Sequence, residues 1–134
     1  MTPEQLVELA KEAMSRAYAP YSGFYVGAAL LCADGTMYQG CNIENAAYGP
    51  TNCAERTAFF KAVYDGHRQF QAIAICGGKG GNITGAFPPC GVCRQVMREF
   101  CGDDFLVYLV TDTGYETRTL SQLLPDSFRP TNLQ

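Results

Sequence analysis

Two short segments contain side chains that can bind a metal and move a proton: Cys-Ala-Glu at 53–55 and Pro-Cys-Gly-Val-Cys at 89–93. Each segment begins a predicted helix directly after a loop, and the partial positive charge of a helix N-terminus favours the thiolate form of cysteine. If the two helix ends converge, Cys53, Cys90 and Cys93 can offer three thiolates to one Zn²⁺. A fourth position then stays open for water, which is the arrangement of a catalytic zinc site and not of a structural one.

Glu55 lies two residues beyond Cys53, close enough to reach a water on such a metal without binding the metal itself. Zinc lowers the pKa of a bound water to about 7, so this carboxylate could accept the proton and pass it to a substrate. Three thiolates leave a net negative charge on the metal centre. Arg56 and Arg94 each follow a predicted ligand directly, and either could compensate that charge.

A Cys-x-x-Cys pair is also typical of half a zinc ribbon or of a thioredoxin-like redox pair. A ribbon would need a second close pair, whereas Cys32 and Cys41 stand far apart in predicted strands. A redox pair would follow the first strand and would leave the Cys-Ala-Glu segment unexplained. We interpret Cys32, Cys41, Cys76 and Cys101 as packing residues, because each stands alone among small or apolar neighbours.

The elements that must position these residues alternate between helix and strand. The pattern predicts helices over 3–18, 53–64, 91–100 and 121–124, and strands over 25–33, 36–43, 70–76, 105–111 and 115–119. Asp34-Gly35 predicts a tight hairpin between the first two strands, and residues 44–52 and 77–89 are predicted loops. This order predicts an α/β fold with one domain over 1–134. We expect a three-layer α/β/α sandwich with a mixed sheet of four or five strands.

Composition restricts the partners of the chain. Charged residues make up 17% of the sequence, against about 25% in typical domains. This shortage favours burial of surface in an oligomer, although a surface rich in uncharged polar residues would also explain it. The net charge of −3 disfavours a nucleic-acid partner. We expect no membrane span, no secretion signal and no disulfide framework, and therefore a cytoplasmic location.

Several segments carry a resemblance to a known family. The two cysteine segments match the signature of zinc-dependent nucleobase deaminases, H-x-E followed by P-C-x-x-C, in which cysteine can replace the histidine. The chain resembles the small homotetrameric cytidine deaminases over about 21–128. The matching segments are PYSGFYVGAAL at 20–30, GCNIENAAYG at 40–49, NCAERTA at 52–58, PCGVCRQVMREF at 89–100 and LLPDSF at 123–128.

The resemblance implies roles for the residues that could bind a metal, move a proton or compensate charge. It implies one zinc per subunit held by Cys53, Cys90 and Cys93, a proton shuttle at Glu55, and charge compensation of the thiolates by Arg56. The implied reaction is the hydrolysis of cytidine and deoxycytidine to uridine and deoxyuridine with release of ammonia, in pyrimidine salvage. Two rival functions remain: a deaminase of the same fold that acts on another aminopyrimidine nucleoside or base, and a non-catalytic zinc-stabilised binding module.

The resemblance also implies a substrate site shared between subunits of a homotetramer. The implied substrate-binding residues are Phe24, Asn42, Glu44, Ala46, Tyr48, Ala54 and Phe128. Of these, Asn42 and Glu44 would bind the ribose hydroxyls, and the rings of Phe24 and of a neighbouring subunit's Phe128 would flank the pyrimidine. Ala46 and Tyr48 would approach a neighbouring site. The sequence departs from the family at the long loop 77–89 and at Pro88, where the family generally has serine.

Overall fold

The computed structural model describes all 134 residues, in four α-helices and five strands. The helices are α1 Pro3–Met14, α2 Ala54–Tyr64, α3 Gly91–Phe100 and α4 Leu120–Leu123, and a 3₁₀ turn covers Pro130–Leu133. The strands are β1 Phe24–Cys32, β2 Met37–Cys41, β3 Phe70–Lys79, β4 Leu106–Val110 and β5 Tyr115–Thr119. No helix is long and apolar enough to cross a membrane.

The five strands form one mixed sheet in the order β2-β1-β3-β4-β5. Only β3 and β4 pair in parallel, and the other three pairs are antiparallel. Because β1 runs antiparallel to both of its neighbours, the carboxyl ends of β2 and β3 lie at the same edge of the sheet. The loops that lead into α2 and α3 therefore leave from that edge. The predicted mixed sheet is confirmed, with five strands.

Helices cover both faces of this sheet. Alternate residues of β1 point to opposite sides, so that Leu30 joins the core beneath α2 and α3, whereas Leu31 joins the core beneath α1. Phe59 of α2 and Met97 of α3 are fully buried in the first core, and Leu6 of α1 is buried in the second. The predicted α/β/α arrangement follows from this division into two apolar layers.

Two glycines allow the helices to approach the strands closely. A Cβ on Gly40 of β2 would overlap the carbonyl oxygen of Ala54 and lie 2.6 Å from the backbone nitrogen of Ala58, both in α2. A Cβ on Gly27 of β1 would overlap the backbone of α1 on the opposite face and lie 2.8 Å from the Cα of Met14. Gly40 therefore fixes the distance between the sheet and the beginning of α2.

Two element boundaries differ from the sequence prediction by more than two residues. Helix α1 ends at Met14 and not at residue 18, because the next amides, from Ser15 to Ala17, turn to carbonyls three residues back. Strand β3 continues through Gly77, Gly78 and Lys79, which were predicted to be loop, because these residues pair with the first residues of β1. Long-range pairing overrides the local preference of glycine for loops.

Candidate active site

Two helix beginnings meet at the carboxyl ends of β2 and β3. Cys53 is the N-cap residue of α2 and Cys90 is the N-cap residue of α3, both with extended backbone and without a side-chain cap hydrogen bond. Cys93 lies in the first turn of α3. Both helices pack on the same face of the sheet, so their N-terminal ends bring all three sulfurs together.

The three sulfur atoms have the spacing of a metal site. The Sγ of Cys90 lies 3.7 Å from that of Cys53 and 3.5 Å from that of Cys93, and all three lie within 4.8 Å of one another. Two sulfurs bound at about 2.3 Å to a tetrahedral zinc stand ~3.8 Å apart. The donor set and its spacing therefore fit a zinc ion with three protein ligands.

The cysteine side chains also interact with one another and with Arg56. A hydrogen bond from the Cys93 thiol, with a further one from Arg56, lowers the pKa of Cys53 well below its usual value. The same pairing with Cys53, together with burial, raises the pKa of Cys93. A metal ion bound there would take all three cysteines as thiolates, so binding would release protons.

Glu55 is almost fully buried in the first turn of α2, beside the sulfur cluster. Burial raises the pKa of its carboxyl group to about 7, and the negative charge on Cys53 contributes to the increase. A carboxyl group that titrates near neutral pH is suited to accept and return a proton in each catalytic cycle. Glu55 also lines the cavity described next, so a bound molecule could reach it.

Arg56 and Arg94 were both candidates to compensate the thiolate charge. The Nη2 of Arg56 donates a hydrogen bond of 3.3 Å to the Sγ of Cys53. Arg94 instead donates to the carbonyl oxygens of Pro89, at 2.8 Å, and Leu123, at 2.6 Å. Arg56 therefore contacts the cluster, whereas Arg94 ties the loop before α3 to the end of α4.

A cavity of about 290 Å³ opens above the sulfurs and has room for a small ligand. It is lined by two of the three cysteines, by Glu55 and by several polar residues. Thirteen residues line it: Ser22, Phe24, Val26, Asn42, Glu44, Thr51, Asn52, Cys53, Ala54, Glu55, Phe87, Pro88 and Cys90. The structure thus brings four of the seven implied substrate-binding residues, Phe24, Asn42, Glu44 and Ala54, into one cavity with the cluster.

The side-chain amide of Asn42 is held by β1. The backbone N–H of Val26 donates to its Oδ1 at 2.9 Å, and its Nδ2 donates to the carbonyl oxygen of Phe24 at 2.8 Å. One N–H and one lone pair of the amide remain for a ligand. Asn42 is therefore a rigid part of the cavity wall, although its sequence position is also typical of a polar turn.

The carboxylate of Glu44 is held by the turn before β1. Its Oε1 accepts the backbone N–H groups of Tyr21 and Ser22 at 2.9 and 3.0 Å, and its Oε2 accepts the hydroxyl of Ser22. These bonds, led by the Ser22 hydroxyl, lower the pKa of Glu44 and keep it ionised at neutral pH. Ser22 has a positioning contact that sequence reasoning missed, although it lies in the PYSG segment.

Phe87 is a second residue that sequence reasoning missed. Its ring lies 6.2 Å from that of Phe24 at an interplanar angle of 32°, and both rings line the cavity. A Cβ at Gly77 would lie 2.9 Å from the Phe87 ring, so the glycine leaves space for it. The sequence signal for this residue was an aromatic side chain shortly before the Pro-Cys motif. Only the extension of β3 shows that the aromatic ring faces the cavity.

The remaining implied substrate-binding residues do not line this cavity. Tyr48 borders an adjoining depression of about 370 Å³, together with Tyr21 and Glu44, and is 72% exposed. Ala46 is exposed in the same loop, and the Phe128 ring is 59% exposed near the end of the chain. In a single chain these side chains contribute nothing to the cavity.

Comparisons with known proteins agree with this geometry. The family model for the cytidine and deoxycytidylate deaminase zinc-binding region matches residues 1–109. The chain is 52% identical to a cytidine deaminase of Sporosarcina psychrophila over 134 residues, which cover 99% of this chain and 96% of the relative. It is 50% identical to a cytidine deaminase of Halalkalibacterium halodurans over 129 residues, covering 96% of this chain and 95% of that relative.

Solved structures give the same result. The crystal structure of cytidine deaminase from Burkholderia pseudomallei is similar with a TM-score of 0.88 and 47% identity, over 96% of this chain and 100% of that one. A cytidine deaminase structure from Mycobacterium tuberculosis gives a TM-score of 0.79 at 40% identity, over 92% of this chain and 94% of that one. The chain therefore belongs to the family of cytidine and deoxycytidylate deaminases that contain this zinc-binding region.

Proposed function

We propose that this protein is a zinc-dependent cytidine deaminase that hydrolyses the 4-amino group of free cytidine and deoxycytidine to give uridine and deoxyuridine. The observation that carries the proposal is the position of Glu55. This residue is buried beside three convergent cysteine sulfurs and lines a nucleoside-sized cavity. The names of the similar proteins support the choice of cytidine as substrate. A structural zinc site would have no use for the carboxylate.

In this proposal Cys53, Cys90 and Cys93 hold the zinc ion, one per subunit. When bound there, zinc supplies an activated water as nucleophile at neutral pH and Lewis-acid stabilisation of the developing charge. Cys53 and Cys90 line the cavity, so a ligand in the cavity could reach a metal that the three cysteines would hold. Arg56 donates to the Cys53 sulfur and withdraws part of the charge that three thiolates would place on the metal.

Glu55 moves the protons of the reaction. Its carboxylate accepts a proton from the water that attacks C4 of the pyrimidine and donates this proton to the ring nitrogen N3. It then carries the remaining proton of the new C4 hydroxyl to the amino nitrogen. The C4–N4 bond breaks with its electron pair on nitrogen, ammonia leaves, and C4 keeps the oxygen as a carbonyl.

Polar residues of the cavity bind the sugar in this proposal. The free N–H and lone pair of Asn42 and the fixed, ionised carboxylate of Glu44 can donate to and accept from the ribose hydroxyls. Phe24 and Ala54 line the same cavity, and the ring of Phe24 can pack on the pyrimidine. A free nucleoside is favoured over a polynucleotide because the net charge is −3.

The proposal includes a homotetramer whose sites are shared between subunits. Phe128 and Tyr48 are large and exposed in one chain, so both are available to contact a neighbouring subunit. We propose that Phe128 of one subunit packs on the pyrimidine in another, and that Ala46 and Tyr48 approach a neighbouring site. A cytoplasmic location and a role in pyrimidine salvage complete the proposal, since free pyrimidine nucleosides are the substrates.

A deaminase of the same fold that acts on another aminopyrimidine nucleoside is the alternative. Ultraviolet-monitored deamination of cytidine, deoxycytidine, cytosine and CMP by the purified protein distinguishes them. We expect turnover of both nucleosides, with kcat/KM for cytosine at least about a thousandfold lower because the sugar contacts are lost. Efficient turnover of cytosine alone, or none of the four, would contradict the proposed substrate.

A further inference from the structure

A second cluster of metal-binding side chains lies at the end of the sheet opposite the active site. It consists of Cys32 at the end of β1, Asp34 in the β1–β2 hairpin and His67 in the loop after α2. Strand β1 begins at the cavity with Phe24 and ends at Cys32, which places the cluster about 25 Å from the cavity. The proposed deaminase chemistry uses none of these three residues.

The three ligand atoms lie close together, and no hydrogen bond joins any two of them. The Sγ of Cys32, a carboxylate oxygen of Asp34 and a ring nitrogen of His67 all lie within 4.8 Å of one another. The Oδ2 of Asp34 lies 3.6 Å from the Nδ1 of His67, which is too long for a hydrogen bond. Two ligands at about 2.1 Å from a tetrahedral ion stand ~3.4 Å apart, so the gap fits a shared cation.

The surrounding structure fixes the two more exposed ligands. The backbone N–H of Thr36 donates to the Oδ1 of Asp34 at 3.0 Å, which leaves Oδ2 directed at His67. The backbone N–H of His67 donates to the carbonyl oxygen of Ala62 at 3.0 Å, and the ring of Tyr38 packs on the imidazole at 5.4 Å. Little conformational entropy is therefore lost when an ion binds.

We propose that Cys32, Asp34 and His67 bind a divalent transition-metal ion of the zinc class, at a site separate from the active site. One thiolate and one carboxylate neutralise the two positive charges of the ion, and the imidazole adds a neutral ligand. A thiolate with an imidazole favours zinc or cobalt over Mg²⁺ and Ca²⁺, which prefer oxygen ligands. Burial, with a contribution from Asp34, raises the pKa of the Cys32 thiol to about 11, so metal binding releases a proton.

Metal stoichiometry tests this site. The holoenzyme is dialysed against micromolar Zn²⁺ and then assayed by elemental analysis beside the variants His67→Ala and Cys32→Ala. We expect the wild type to hold one more zinc per chain than either variant, while all three deaminate cytidine at similar rates. Cys76→Ala is the matched control, because it also removes a buried strand cysteine but one outside both clusters. It should retain the full wild-type zinc content.

Cobalt binding provides a second test of this site, and the test does not depend on a measurement of enzyme activity. Co²⁺ added to enzyme that retains only one zinc per chain should produce thiolate-to-metal absorption that disappears in Cys32→Ala, and His67→Ala should weaken Co²⁺ binding about 100-fold. Mg²⁺ should not compete. The proposal is overturned if the wild type and His67→Ala hold equal zinc, if the extra zinc persists in Cys32→Ala, or if Mg²⁺ displaces the cobalt.

Discussion

The Nη2 of Arg56 donates a hydrogen bond to the Sγ of Cys53 across 3.3 Å, three residues apart at the beginning of α2. No other guanidinium contacts the sulfur cluster. The cysteine that accepts this bond precedes Glu55 by two positions in the sequence. After the larger effect of the Cys93 hydrogen bond, this bond helps to lower the pKa of Cys53, and it raises the pKa of Arg56. The charge on the cluster therefore depends on Arg56.

Replacement of Arg56 should weaken catalysis more than zinc binding. A hydrogen bond to a charged group contributes about 1.5–3 kcal/mol, so Arg56→Gln should lower kcat by roughly tenfold to a hundredfold with zinc retained. Steady-state kinetics and elemental analysis check this result. Arg118→Gln is the control, because Arg118 is a surface residue of β5 paired with Glu116. Unchanged kcat in Arg56→Gln would remove the proposed charge compensation.

The three sulfurs of the cluster should be required for zinc. Cys53→Ala or Cys90→Ala should reduce the zinc content of the active site below one per chain and abolish activity, because two thiolates cannot complete the site. Cys101→Ala, which removes a buried cysteine outside both clusters, should keep zinc and activity. Full zinc occupancy of the active site in Cys53→Ala would exclude that residue as a ligand.

Gly40 and Gly27 permit a comparison between the two faces of the sheet. Gly40→Ala should displace the beginning of α2, whereas Gly27→Ala should displace α1 on the opposite face. Both changes overpack the core and should cost about 1–3 kcal/mol in the free energy of unfolding. Only Gly40→Ala should also lower kcat in the folded enzyme, by about tenfold to a hundredfold, because it moves Cys53 and Glu55. Thermal melts and kinetics separate the two effects, and equal losses of kcat would contradict this account.

Phe128 connects the quaternary structure to the active site. If its ring stacks on the pyrimidine of a neighbouring subunit, its loss removes about 1–3 kcal/mol of stacking energy. Phe128→Ala should then raise KM roughly 5- to 150-fold with zinc unchanged. If the ring stabilised only its own subunit, the same change would lower the melting temperature and leave KM normal.

Mixing of variant subunits tests the sharing directly. Glu55→Gln subunits keep the ring but not the carboxylate, and Phe128→Ala subunits keep the carboxylate but not the ring. A shared site predicts that hybrid oligomers regain both groups in some sites, so their activity at low cytidine exceeds that of either parent. No recovery after demonstrated subunit exchange would show that one chain builds the whole site.

Local sequence signals were sufficient for the helix beginnings that carry the chemistry. Loops rich in turn residues precede Cys53 and Cys90, so the beginnings of α2 and α3 were predicted within one residue. The hairpin at Asp34-Gly35 was equally local. These features depend on short-range rules for caps and turns, which hold wherever the tertiary structure does not oppose them.

The features that could not be predicted from the sequence depend on contacts between residues that are far apart in the chain. The extension of β3 through Gly77 depends on pairing with β1, and it is this extension that places Phe87 in the cavity. The amide of Asn42 is held by the backbone of Val26, sixteen residues away. No local pattern distinguishes this arrangement from a solvent-exposed polar turn, because the two differ only in the group to which the side-chain amide is hydrogen-bonded.

Glu55 carries the central claim of this account, and Glu55→Gln tests it most directly. The amide is nearly the same size as the carboxylate but cannot carry a proton, so the variant should fold and bind zinc like the wild type. Its kcat for cytidine, measured by ultraviolet absorbance on protein of verified zinc content, should fall by about two to four orders of magnitude. Near-normal turnover in the zinc-loaded Gln variant would contradict the proposed role of Glu55 as the proton carrier.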